Sequence, residues 1–243
     1  MKSLIALFTA GLLLASQAFA LDVERVTQAL NDPSRPDADS ERDESRKPVE
    51  VLQFMGVEDG MTALDIMASS GWYTEVLSYA VGPEGTVLMQ NSPRSLGMRG
   101  TEEAVQERLA GDRLPSVERV DRNFDDLGIP AKSVDYAHTA LNFHDLHNSD
   151  PAAAQAMLAA VREVLKDDGV LGLIDHKGDL GADNAELHRI ALENVIMALN
   201  EAGFAVVGLS NVLHVASDDH TLGPFDPSLE RNTDRIVLKA MKM

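Results

Sequence analysis

The chain of 243 residues contains no cysteine, few aromatic residues, few basic residues for its number of acids, and no long apolar run beyond its first twenty residues. The absence of cysteine excludes disulfides, zinc–thiolate sites and iron–sulfur clusters. Lysine and arginine number 21 against 39 aspartates and glutamates, which gives a net charge of −18. So acidic a chain lacks the basic surface that nucleic acids and anionic membranes require, and we expect neither as a partner. What remains is an ordinary globular composition of a length that suits one α/β domain.

The first twenty residues have the pattern of a secretory signal peptide. Lys2 is followed by an apolar run over residues 4–15, and the segment ends in Ala18-Phe19-Ala20. This pattern predicts cleavage after Ala20 and a periplasmic or secreted protein without a membrane anchor; an uncleaved N-terminal anchor is the alternative. The predicted organisation is a signal peptide over 1–20, a short helix and an exposed lead-in over 21–46, and one domain over 47–243.

Apolar segments of strand length alternate with helical segments along the domain. Strands are predicted over residues 61–67, 86–90, 117–124, 133–141, 170–175, 204–213 and 235–241, and helices over 72–81, 101–109, 151–165 and 183–202. This alternation predicts an α/β fold of the Rossmann-like, doubly wound type, with a mostly parallel seven-stranded sheet and helices on both faces. In such sheets ligands bind at the carboxyl ends of the strands, where the strand order reverses.

The loop after the first strand has the strongest functional signal. Residues 63–74 read Ala-Leu-Asp-Ile-Met-Ala-Ser-Ser-Gly-Trp-Tyr-Thr, which predicts a strand, a turn of small residues and a helix whose free N–H groups face a ligand. This segment resembles the first motif of class I S-adenosylmethionine-dependent methyltransferases. Over residues 40–243 the chain resembles, more closely, a family of predicted exported methyltransferases. That resemblance rests on residues 46–56, 71–75, 142–145, 175–176, 188–189, 202–204 and 232–235.

The resemblance implies S-adenosylmethionine as the cofactor and a small molecule as the substrate. It places the cofactor against residues of four loops, namely Asp65, Ala68, Ser69, Gly71, Tyr73, Asn91, Asn123 and Asn142. Asp65 would support the loop or the methionine amino group, and Asn91 would take the position of an acid that binds the ribose. The turn departs from the family pattern, because Met67, Ser69 and Ser70 stand at expected glycine positions. A non-glycine residue is strained wherever a turn needs a positive φ, so a fold that has lost its ligand is the alternative.

Histidines follow the fourth and fifth predicted strands. His144, Asp145 and His147 come after the fourth strand, and His176 follows Asp175 after the fifth. Since both groups fall at the same edge of the sheet, we take His144, Asp145 and His176 as catalytic candidates, with a histidine as the base that methyl transfer needs.

Two alternatives to a methyltransferase remain open at the sequence level. One is a metal-dependent enzyme that uses the histidine cluster, because imidazoles and carboxylates at such spacings bind zinc and similar ions. The other is an exported, non-catalytic protein that keeps the fold and binds a different small ligand. The segment over residues 216–232 is long and rich in Asp, Pro and Gly, which indicates a functional loop or lid in either case.

Overall fold

The computed structural model describes residues 20–98 and 100–243. The predicted signal peptide, apart from Ala20, lies outside the described residues. Within those two ranges, no helix combines the length and the apolar character needed to cross a bilayer.

A single mixed sheet forms the centre of the described chain. Its strands are β1 (Thr62–Ile66), β2 (Thr86–Gln90), β3 (Val117–Val120), β4 (Val134–Ala140), β5 (Leu165–Gly178), β6 (Ile190–Ala191), β7 (Phe204–Leu209) and β8 (Arg235–Lys242). The order is β3-β2-β1-β4-β5-β8-β7, with the two-residue β6 beside β5. The first five strands and β6 pair in parallel, and β8 runs antiparallel between β5 and β7. The predicted Rossmann-like, mostly parallel sheet is therefore confirmed, with β6 added to the seven expected strands.

Helices cover both faces of this sheet. They are α1 (Val23–Leu30), α2 (Asp37–Ser40), α3 (Asp43–Arg46), α4 (Pro48–Met55), α5 (Trp72–Val81), α6 (Pro93–Leu96), α7 (Thr101–Leu109), α8 (Phe143–Ser149), α9 (Pro151–Val164) and α10 (Leu192–Glu201). Helices α1, α4 and α5 bury their apolar side chains in one core cluster, and α9 and α10 bury theirs in another. Local sequence explains the sharp start of α9, because the Asp150 side chain accepts the free N–H groups of its first turn and Pro151 fits there without a donor.

The helix predicted over residues 183–202 is wrong in its first half. Helix α10 begins only at Leu192, and the residues before it form turns and the short strand β6. His188 adopts a left-handed backbone, with φ of 49°. Arg189 is fully buried and its guanidinium donates to the carbonyls of Lys177 and Leu222. These long-range contacts hold Arg189 outside any helix and override the amphipathic pattern that favoured one.

The N-terminal lead-in, predicted to be exposed, packs on the carboxyl edge of the sheet instead. We call residues 37–46, which contain α2 and α3, the roof. Asp39 is buried in it, and its carbonyl accepts a hydrogen bond from the Trp72 indole at 3.0 Å. At the other end of the roof, the Ser45 carbonyl accepts from Arg235 at 2.8 Å. The roof is therefore fastened to α5 and to β8, and it covers the edge where ligands of this fold bind.

Candidate functional site

Two adjoining cavities lie under the roof at the point where the strand order reverses. Strand β1 pairs with β2 on one side and β4 on the other, so the loops after β1 and β4 diverge there. The smaller cavity, about 200 Å³, is lined by the loop after β1 and by the end of β4, and we call it the loop cavity. The larger, about 290 Å³, is lined by arginines of the roof and of the C-terminal region, and we call it the arginine cavity. Arg42, Arg46 and Leu141 line both.

The loop over residues 67–71 keeps a glycine-like backbone with few glycines. Met67 and Ser69 each have φ of 54°, in the left-handed region that side chains disfavour. Amide side chains at the end of β2 hold them there. Gln90 Oε1 accepts the Met67 N–H at 2.9 Å, while Asn91 accepts the Ser69 N–H at 2.9 Å and donates to the Ser69 carbonyl at 3.0 Å. These hydrogen bonds offset the strain, so the missing glycines have not changed the shape of the turn.

Gly71, the one glycine that the turn retains, cannot be replaced in the same way. Its φ is 81°, and a Cβ at this position would lie 2.7 Å from Met89 Cε and 3.0 Å from Arg108 Cδ. Helix α5 starts directly after it, at Trp72. The close approach of two side chains, as well as the positive φ, therefore requires glycine here.

Asp65 lies at the end of β1 and lines the loop cavity. Its side chain is buried and accepts a hydrogen bond from the Thr74 hydroxyl at 2.6 Å. Burial raises the pKa of Asp65 to about 7, and the hydrogen bonds from Thr74 only partly oppose this. Asp65 therefore changes its charge near neutral pH, inside a cavity that a cationic group could enter.

His144, at the start of α8, is held between two carboxylates. Its Nδ1 lies 2.6 Å from Asp175 Oδ1, and its Nε2 lies 3.2 Å from Asp145 Oδ1. Burial lowers the pKa of His144, but the hydrogen bonds to Asp145 and Asp175 outweigh it and raise the pKa to about 9. The ring is thus an imidazolium at neutral pH. This geometry does not favour the role of base that the sequence suggested for His144.

A possible metal-ligand set is present, but not the one suggested by the strand ends. His144, Asp145 and His188 each place a ligand atom within 4.8 Å of the others. His188 joins through Nδ1, which lies 2.8 Å from Asp145 Oδ1. The hydrogen bond from His144 to Asp175 resembles the outer-shell carboxylate that orients many metal-binding histidines. His176 is not a member of this set, so the metal hypothesis would use the helix α8 start and the loop before β6.

His176, near the end of β5, lines the arginine cavity. Its Nδ1 lies 2.7 Å from the Thr233 hydroxyl, and its Nε2 has no hydrogen bond with the described part of the chain. Burial, with repulsion from Arg235 and His144, lowers the pKa of His176 to about 2. The ring is neutral at physiological pH and has a nitrogen available to a ligand.

The structure brings most of the predicted site residues to one place. Asp65, Ala68, Ser69, Tyr73 and Asn142 line the loop cavity, and Asn142 also donates to the Met67 carbonyl at 3.0 Å. His176 lies in the neighbouring cavity, and His144 and Asp145 form the adjacent cluster. Three predicted cofactor residues line neither cavity, and the first is Gly71, which shapes the turn before α5. Asn91 is buried and has both amide atoms bonded to Ser69, and Asn123 is exposed after β3 and lines neither cavity.

The segment after β7, predicted as a lid, is anchored at its base by a buried ion pair. Asp218 accepts two hydrogen bonds from the Arg189 guanidinium, at 2.9 and 3.0 Å, and both side chains are almost fully buried. Asp218 also accepts the Asp234 N–H at 2.7 Å. Only the later part of the segment, with Pro224 and Arg231, reaches the arginine cavity.

The sequence assigned no role to the arginines that line the arginine cavity. Arg46 and Arg235 belong to motifs that carry the family resemblance, which was the available signal, but their convergence depends on the tertiary fold. Arg42 and Arg231 carried no signal beyond their charge. Four of the 21 basic residues of this acidic chain line one cavity, and only the structure shows this.

Comparison with known proteins identifies relatives by fold. No protein-family model matches the sequence, and no curated protein matches it significantly. Among solved structures, a SAM-dependent methyltransferase from Aquifex aeolicus is 24% identical, with a TM-score of 0.63, over 91% of this chain and 99% of that chain. The O-methyltransferase NcsB1 from neocarzinostatin biosynthesis, in complex with S-adenosyl-L-homocysteine and 1,4-dihydroxy-2-naphthoic acid, is 14% identical, with a TM-score of 0.57, over 85% of this chain and 56% of that chain.

A third similar structure shows that this fold does not fix one reaction. The [4+2]-cyclase SpnF is 16% identical, with a TM-score of 0.61, over 94% of this chain and 87% of that chain. At these identities the similarity establishes the class I methyltransferase fold. The activity has to be argued from the residues of the two cavities.

Proposed function

We propose that this protein binds S-adenosylmethionine in the loop cavity and transfers its methyl group to a small molecule. One observation carries the proposal. The loop over residues 67–71 keeps left-handed backbone at Met67 and Ser69, held by the amides of Gln90 and Asn91, above a cavity that ends on buried Asp65. Backbone in sparsely populated conformations is concentrated at ligand-binding sites in proteins, which supports a retained ligand here. The shared fold of the methyltransferases described above supports the same conclusion.

The residues have distinct tasks in this reaction. When bound, S-adenosylmethionine would supply a methyl group on a cationic sulfur, which would keep the bonding pair while a lone pair of the acceptor formed the new bond to carbon. Asp65 binds the methionine amino group, with the backbone of residues 68–70 beside it. His176 accepts a hydrogen bond from the acceptor at Nε2, which has no hydrogen bond with the described part of the chain. The proton itself leaves to water, because a pKa of about 2 makes this imidazole too weak a base to hold it. The cationic sulfur already makes the methyl group a good electrophile, so most of the acceleration comes from positioning of the two reactants under the roof.

Calorimetric titration of residues 21–243 with S-adenosylmethionine and S-adenosylhomocysteine tests the cofactor site. At pH 8 we expect micromolar binding that falls about tenfold or more in Asp65→Asn, because an ion pair is lost while the shape is kept. Asp135→Asn is the matched control, since Asp135 sits at the opposite end of the β1–β4 pair and accepts the Thr62 N–H at 3.0 Å. No heat at millimolar ligand, or equal weakening in both variants, would contradict the proposal.

We also propose that the protein acts outside the cytosol, after cleavage behind Ala20. The support is the sequence pattern of residues 1–20. Expression of the full chain in a Gram-negative host should yield a periplasmic protein. Its intact mass should correspond to a chain that begins at Leu21. Ala18→Phe should block this cleavage, because the site requires small residues. Recovery of the uncleaved chain in the cytosol for both versions would rule out export.

A further inference from the structure

The arginine cavity concentrates positive charge inside an acidic protein. Arg42 and Arg46 reach it from the roof, Arg231 from the segment before β8, and Arg235 from the first position of β8. Acids outnumber bases 39 to 21 in the chain, so carboxylates are available throughout the surface. Even so, among the described residues no carboxylate oxygen lies within 4 Å of any of these four guanidinium groups. These four arginines therefore form no ion pair with a described carboxylate, and two of them, Arg46 and Arg231, stack on aromatic rings instead.

Arg235 is the most deeply placed member of this group. Its side chain is only 6% exposed. It donates to the carbonyls of Ser45 at 2.8 Å and Arg231 at 3.0 Å, and its buried Nε has no hydrogen-bond partner. A buried, unpaired donor on a cation costs free energy in the empty protein, and such exceptions call for an explanation. An anion that lies in the arginine cavity beside this guanidinium balances its charge.

The neighbouring groups narrow the chemistry of that ligand. Guanidinium groups match carboxylates and phosphates, which accept two parallel hydrogen bonds. Leu141 and Pro224 add apolar wall to the same cavity, and His176 adds a neutral imidazole. A volume of about 290 Å³ is near the lower end of small-molecule sites. The site therefore fits a small organic acid or phosphate ester with an apolar body.

The two cavities share a wall, which places any ligand of the arginine cavity beside the loop cavity. Arg42, Arg46 and Leu141 belong to both, whereas Arg231, Arg235 and His176 belong to the arginine cavity alone. We propose, on the basis of the function proposed above, that the methyl acceptor is a small molecule bearing a carboxylate or phosphate, bound by Arg231 and Arg235. Its reacting atom then lies between the shared wall and His176.

Calorimetry on residues 21–243 with phenyl phosphate and with benzoate tests the anion site and separates the two chemistries. We expect at least one probe to bind in the millimolar range or tighter. Arg231→Gln and Arg235→Gln should each weaken that binding about tenfold. The matched control is Arg94→Gln, which removes one exposed positive charge outside both cavities. Arg231 is exposed, so its variant stays informative even where Arg235→Gln fails to fold.

Repetition of the titrations in saturating S-adenosylhomocysteine assigns the site. Simultaneous binding of both ligands supports an acceptor site. Displacement of S-adenosylhomocysteine by the anion overturns the proposal, because the arginines would then bind the cofactor's own carboxylate. Failure of both probes to bind, or equal affinity in all four proteins, also overturns it. If anion binding depends on the arginines but S-adenosylhomocysteine does not bind at all, the methyltransferase proposal is overturned. Only the existence of an anion site would then remain supported.

Discussion

Two groups of arginines in this protein differ in what neutralises their charge. In the first group, Arg108 and Arg113 form ion pairs with buried Glu75, and the Glu75 carboxylate also accepts a hydrogen bond from Tyr79 at 2.6 Å. In the second group, Arg46 stacks on the Trp72 ring at 4.3 Å and points its charge toward a cavity. The first group, which we call the Glu75 cluster, is complete without a ligand.

The difference separates structural arginines from binding arginines. Burial raises the pKa of Glu75, but the hydrogen bonds from Arg113 and Tyr79 and the charge of Arg108 outweigh it and lower the pKa below its usual value. In the arginine cavity, burial together with repulsion from Arg42 and Arg235 lowers the pKa of Arg46 to about 10. In the Glu75 cluster, ion pairing stabilises the charged form of Glu75. In the arginine cavity, burial and the crowding of like charges destabilise the charged form of Arg46.

Breaking the Glu75 cluster should have the largest effect on stability. Glu75→Gln leaves Arg113 without a carboxylate partner and Arg108 with Asp39 alone, in a largely buried site. We expect unfolding in denaturant to show a loss of about 3–5 kcal/mol. Glu102→Gln is the control, because Glu102 pairs with Arg119 at 2.7 Å on the surface, where solvent screens the pair. Its unfolding midpoint should stay close to that of the wild type. Equal shifts in the two variants would show that the Glu75 cluster does not stabilise the fold.

The pH dependence of cofactor binding should have an intermediate effect. Because the pKa of Asp65 is about 7, the carboxylate is mostly protonated at pH 6 and mostly ionised at pH 8. An ionised carboxylate attracts an ammonium group, so the affinity for S-adenosylhomocysteine should rise about tenfold from pH 6 to pH 8. His144, with a pKa of about 9, and His176, with a pKa of about 2, stay in one form over most of this window. Titrations of Asp65→Asn should show no such rise, and a rise that persists there would assign it to another group.

Removal of a binding arginine should have the smallest effect on the empty protein. Arg46→Met keeps an unbranched side chain on Trp72 and removes a charge that forms no ion pair with a carboxylate in the described part of the chain. We therefore expect the free energy of unfolding to change by less than about 1 kcal/mol, or to increase. Ligand binding should fall in the same variant, since Arg46 lines both cavities. A large loss of stability would show that Arg46 is a structural arginine and not a binding arginine.

The fold was predictable because its signals are local. Short apolar runs bounded by Gly and Pro marked strands such as β1 and β2, and Gly71 with the small residues before it marked the turn at the strand-order reversal. Residues 183–191 show where local signals fail. Their helical periodicity is genuine, but the ion pair of Arg189 with Asp218, 29 residues away in sequence, holds the backbone in another form.

The site was predictable only as far as strand ends determine it. Asp65 and His176 follow from their positions at the ends of β1 and β5, whatever the rest of the chain does. Asn91 sits at the expected strand end too, but the left-handed backbone of Ser69 engages both of its amide atoms. Whether Arg235 has an ion-pair partner depends on which side chains from distant segments surround it. No spacing of residues in the sequence predicts those neighbours.

The contact of Ser45 with Arg235 has a consequence for how the site comes into being. The two residues are 190 positions apart, and Arg235 opens β8, the strand that inserts between β5 and β7. Because β8 lies inside the sheet and not at its edge, the arginine cavity is complete only when β8 has been inserted between β5 and β7. A chain truncated before β8 keeps Arg42 and Arg46 but lacks Arg235. Under the proposal above, anion binding therefore measures whether the sheet has been completed.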